Sequence, residues 1–112
     1  MTTTDFNENF HIVSSLIEYD LRPMAKDLSP DRQKDLNFAI LNTSTHLAQA
    51  YEWRAYAMSH KKMNQMDQSS YMMALSGLSQ AIDKLRLNVS TLPQTAQTAG
   101  IIKTLEDVKF TE

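Results

Sequence analysis

The chain has 112 residues, 42% apolar and 21% charged, with 11 Lys and Arg against 13 Asp and Glu and a net charge of −2. That length suits one domain with its own core, and the charge balance argues against the basic face of a general nucleic-acid binder. The absence of cysteine excludes disulfides, thiolate metal sites and a cysteine nucleophile, and fits a reducing compartment.

Residues 1–4 read as a frayed start. Asp5-Phe6-Asn7-Glu8 then carries a capping-box pattern, and Phe6, Phe10, Val13, Ile17, Leu21, Met24 and Leu28 follow at helical spacing. Pro23 falls inside this stripe, which predicts a kink or break near Leu21 and Arg22. Ser29-Pro30-Asp31 opens a second helix: a capping serine, a proline suited to the first position, and an acid at the positive end of the dipole. No glycine or further proline interrupts it before about His60. Leu36, Ile40, Leu47, Tyr51 and Met58 mark its core stripe. About 30 residues make a rod of roughly 45 Å, the central element of the chain.

His60, Lys61 and Lys62 suit the negative end of that helix, and Met63–Met66 reads as a turn. Asp67 or Ser69 is the expected cap of a third helix, whose stripe is Tyr71, Leu75, Leu78, Ile82, Leu85 and Val89. Gly77 inside it costs about 1 kcal/mol of helix propensity against alanine, so a close approach is the candidate reason for it. Ser90–Gly100 reads STLPQTAQTAG and predicts a linker. Ile101, Ile102, Leu105 and Val108 beyond it suit a short amphipathic helix that needs a surface to dock on. The expected fold is all-α, an antiparallel three- to four-helix bundle over residues 1–92, with a linker and short helix or tail over 93–112. No apolar run reaches membrane-spanning length, and the first residues lack the basic and apolar blocks of a signal peptide, so a soluble, cytoplasmic protein is expected.

Several residues do not fit a simple monomeric core. Phe38, Leu41 and Tyr56 project away from the main stripe of the second helix, with Trp53 on its flank; Ile12, Leu16 and Tyr19 do the same on the first. Either neighbouring helices cover both sides of the central rod, or the surplus is a self-association surface. Met63, Met66, Met72 and Met73 cluster near the second turn, where methionine fills gaps in a core or adapts to a partner. Arg54 shares the phase of Leu36 and Leu47. Either it snorkels to solvent near the helix end or pairs with Glu18, Asp20 or Asp83, or else it is held for an anion, with Lys61 and Lys62 as further anchors. No Glu-x-x-His pair, glycine-rich loop or triad spacing occurs, so neither metal, cofactor nor enzymatic activity is expected.

Three local patterns resemble known families. Arg54-Ala55-Tyr56-Ala57-Met58-Ser59-His60 is similar to the Arg-x(4–6)-His signature of HEPN helical ribonucleases, which implies RNA cleavage by Arg54 and His60. Leu47-x-x-Ala50 with Trp53, followed by Tyr71-x-x-Ala74-Leu75, is similar to a tetratricopeptide-like helix pair and implies a helical hairpin. Thr45-His46-Leu47-Ala48-Gln49-Ala50-Tyr51-Glu52-Trp53 resembles a stretch in the helical hairpin of phage anti-CBASS and anti-Thoeris proteins. These are small oligomers that sequester cyclic oligonucleotide signals. That resemblance covers nine residues, has Ser44 where the family usually has arginine, and implies Thr45, His46 and Gln49 on the ligand-bearing helix. The leading expectation is a small non-enzymatic bacterial or phage accessory protein that sequesters or blocks a protein partner, and that self-associates. Phe38, Trp53, Tyr56 and the Met63–Met73 end form its contact surface. A sponge for a small anionic nucleotide and a HEPN-like ribonuclease are the alternatives.

Overall fold

A computed structural model describes residues 5–60 and 62–110. The expected frayed start at residues 1–4 and the candidate anchor Lys61 lie outside them. Helix α1 (Phe6–Leu16) is capped as predicted, with Asp5 Oδ1 accepting the Glu8 N–H at 2.9 Å. The expected break is instead a π-helical turn over Ile17–Leu21, after which α2 (Arg22–Lys26) continues. The Arg22 N–H reaches back five residues to the Ile17 carbonyl. A proline ring collides with the carbonyl four residues before it in an ordinary helix, and the wider turn relieves this at Pro23. The same turn serves the core. Val13, Ile17, Leu21 and Ala25 are all buried at steps of four residues. In a regular helix such steps drift by ~40° each, and the wide turn takes part of that drift back. Leu16, three residues after Val13, shares the core face and is buried, so it is not the surplus surface that its off-stripe position suggested.

Helix α3 (Pro30–Ser59) runs 30 residues. Ser29 supplies the entry geometry but makes no side-chain cap bond; its carbonyl accepts from the Gln33 N–H at 2.8 Å. Helix α4 (Gln65–Ser90) is capped by Asn64, not by Asp67 or Ser69: Asn64 Oδ1 accepts the Asp67 N–H at 2.7 Å. All six residues of its predicted stripe are buried. Helix α5 (Ala96–Asp107) begins inside the expected linker, because Thr95 and Thr98 close a reciprocal capping box. Ile101, Leu105, Val108 and Phe110 are buried, so this segment docks on the bundle.

Helices α3 and α4 form an antiparallel hairpin with the most extensive contact in the molecule. On one side of it, α1 and α2 lie against α3, and α5 lies against α4. The two halves of this second layer meet where Phe6 and Phe110 pack edge to face at 5.3 Å and Asn9 Nδ2 donates to the Lys109 carbonyl at 2.8 Å. The molecule measures 48 × 29 × 19 Å, and its thinnest dimension is that of two helix layers.

Within the hairpin the α3 side of the seam is built mostly from small residues. Ala39, Thr43, His46, Ala50, Trp53 and Ala57 alternate steps of four and three along α3, the spacing of a two-helix seam. Buried Thr43 Oγ1 donates to the Ala39 carbonyl at 2.8 Å and lies 3.4 Å from the Ala81 carbonyl across the seam. A Cβ on Gly77 would stand 3.0 Å from His46 Nδ1. Gly77 therefore permits the close approach at mid-hairpin. The chain is the all-α bundle with a long central helix that the periodicity predicts.

Candidate binding face

Among the described residues, one layer covers only one side of the hairpin. Phe38, Thr45, Gln49 and Tyr56 fall within ~40° of one another on α3, pointing away from α1 and α2. All four are exposed, and Phe38 is 72% exposed. Leu41 beside them is also exposed. On α4, Met66, Met73, Gln80 and Leu87 recur every seven residues on the same outer side, with Met66 and Met73 78% and 74% exposed. The reading in which neighbouring helices cover both sides of the central rod is thereby overturned.

The face has a groove at each end. At the α3 N-terminal end, Phe38 sits with Lys34, Asp35 and, across the seam, Lys84 in a groove of about 640 Å³. At the other end Glu52, Trp53, Tyr56 and Asp67 line a smaller groove of about 370 Å³. Trp53 and Tyr56 pack edge to face at 5.7 Å, and the Tyr56 ring stacks on His60 at 3.8 Å. Tyr56 Oη donates to Asp67 Oδ2 at 3.1 Å. That hydrogen bond, aided by partial desolvation and the negative charge of Asp67, holds the Tyr56 phenol above its ordinary pKa.

The other predicted residues distribute as follows. Thr45 Oγ1 donates to its own helix, to the Leu41 carbonyl at 2.9 Å, and Gln49 is exposed beside it. His46 is half-buried at the seam against Gly77, so the three residues of the sponge-like stretch do not gather around one cavity. Arg54 faces the covered side, with its guanidinium 4.9 Å from the centre of the Phe6 ring. Glu18, one of its proposed partners, pairs with Arg22 at 2.9 Å. Arg54 and His60 thus lie against different rings. Lys62 is exposed beyond the end of α3.

Two core expectations fail. Tyr51 and Met58 are exposed, although the Tyr51 ring lies 4.9 Å from that of Phe10. Phe6 opens α1 level with Arg54, so the described residues of the second layer do not reach Met58. Sequence reasoning also missed that Glu52, Asp67, Lys84, Gln80 and Leu87 border this face. The step of seven from Met66 to Leu87 was the available signal. Among the described residues no three His, Cys, Asp or Glu side chains gather where a metal ion could bind, and no helix is long and apolar enough to cross a membrane.

Comparison with protein-family models, with curated proteins and with solved structures finds no match to this chain.

Proposed function

We propose that this is a non-enzymatic helical binding protein, an accessory or inhibitory component that works by protein association through the outer face of the α3–α4 hairpin. One observation carries the reading. Phe38, Leu41, Met66, Met73 and Leu87 are each more than half exposed on that side, although the other side of the same two helices is packed. Monomers do not commonly leave so much apolar area together on one face. Exposed aromatic and methionine side chains supply contact area that adapts to a partner's shape. The surface that sequesters a partner is then Phe38 and Tyr56 with the two outward methionines, rather than Arg54 or His46.

The test is co-purification from the cell that makes the protein, reading every associated chain including untagged copies of the protein itself. Wild type is expected to retain a stoichiometric companion that Phe38→Glu loses, with helical circular dichroism unchanged in the variant. Equal retention by the variant would remove the outer face from the function.

A further inference from the structure

We infer that the polypeptide seated on this face is a second copy of the chain, turned end for end about a two-fold axis through the His46–Gly77 crossing. This rests on the reading of the outer face as a binding surface, and names its occupant. The argument begins with position. His46 meets Gly77 at mid-hairpin, and the Tyr56–Asp67 bond and the Phe38–Lys84 groove keep the same pairing of levels toward the two ends. On α3, Phe38 precedes that crossing by about as many residues as Tyr56 follows it. On α4, Met73 and Gln80 flank it closely, and Met66 and Leu87 flank it at nearly equal greater distances. A second hairpin laid face to face with its ends exchanged therefore sets Phe38 over the partner's Tyr56. The same operation sets Met73 over the partner's Gln80 and Met66 over the partner's Leu87. A two-fold interface requires this kind of self-complementarity, with each contact made twice.

Charge selects the same arrangement. The groove around Phe38 holds Lys34 and Lys84 against one acid, Asp35. The groove around Tyr56 holds two acids, Glu52 and Asp67. Exchanging the ends puts each lysine-bearing groove on an acidic one and brings Lys84 to the level of the partner's Asp67. Pairing like ends would lay the two acidic grooves on one another, which is repulsive. Size agrees as well. Two helices about 40 Å long and about 20 Å wide together present on the order of 800 Å², the share each partner contributes to a standard interface. The product is a four-helix bundle at the centre of the dimer, two helices from each copy, with each copy's α1, α2 and α5 outside.

The lack of native cysteine makes the geometry directly readable. Single variants Met73→Cys and Gln80→Cys are mixed and oxidised, and wild type is sized by sedimentation. The expected result is a particle of twice 12.8 kDa and a disulfide joining position 73 of one copy to position 80 of the other, in preference to 73–73 and 80–80. The double variant Phe38→Glu with Met73→Glu is expected to raise the dimer dissociation constant at least tenfold while keeping its helical signal. A dimer that keeps its affinity in that variant overturns the proposal. So does preferential linkage of position 73 to a cysteine placed at Gln49, the outcome of like-end pairing. A wild type that stays monomeric at high micromolar concentration also overturns it. If that monomer still retains another protein through Phe38, the binding face stands and only self-pairing falls; if Phe38→Glu changes neither, both fall.

Discussion

The contact between Gly77 and His46 can be weighed by substitution. Alanine at position 77 gains helix propensity of about 1 kcal/mol. Its Cβ, however, would press on an imidazole 3.0 Å away, and forcing a side chain off its rotamer costs of order 0.5–1.5 kcal/mol. Gly77→Ala is therefore expected to leave the urea midpoint almost unchanged in wild type. In a His46→Ala background it should add about 1 kcal/mol, and additivity between the two would deny the contact. Tyr56 offers a second readout at this scale. Its raised pKa means that the bond to Asp67 stabilises the fold fully below the ordinary tyrosine value of 10.0 and is lost as pH climbs through the raised one. Tyrosinate absorbance should show Asp67→Asn titrating one of the four tyrosines at lower pH than wild type does. A glycine in a helix is visible in the sequence as a cost, but the imidazole that explains it comes from another helix thirty-one residues earlier.

Two positions on α3, separated by a single residue, distinguish packing from display. Leu36 is fully buried and Phe38 is largely exposed. Leu36→Ala should lose about 2–5 kcal/mol of stability, the usual cost of emptying a core site. Phe38→Ala, measured in dilute protein, should lose less than about 0.5 kcal/mol, as surface changes do. Chemical denaturation compares the two directly, and similar losses would place Phe38 inside the fold. Helix α5 makes the reverse point. Its apolar residues Ile101 and Leu105 are buried, and the segment after it adds Val108 and Phe110. A chain ending at Gln94 should give a broad, non-cooperative melt by circular dichroism. The long stripes on α1, α3 and α4 were legible because periodicity over many turns averages out local noise. The start of α5 was not: a threonine-to-threonine capping box lacks the usual acid, and Gly100 looked like a stop although it sits exposed within the helix.

For the molecule as a whole, association and folding are linked. If two copies pair, the apparent melting temperature rises with protein concentration. Scanning calorimetry from a few to several hundred micromolar should show that rise for wild type and its disappearance in the Phe38→Glu, Met73→Glu variant. The candidate face was half legible. Phe38 and Tyr56 stood out because they broke phase with the core stripe, whereas Arg54 kept phase with it and phase alone does not say that the Phe6 ring waits opposite. The outward heptad of α4 was hidden because Gln80 interrupts its apolar members. The wide turn at Ile17–Leu21 carries a consequence for how this chain tolerates change in length. It acts as a length buffer: the turn holds one residue more than ordinary winding needs, so removing one there, for instance the solvent-facing Tyr19, would restore ordinary winding and still leave Leu21 and Ala25 close to their present direction. Shortening at this turn would then cost chiefly the relief at Pro23, whereas one residue removed from the middle of α3 would rotate everything beyond it by ~100°, and limited proteolysis of the two deletions would report the difference.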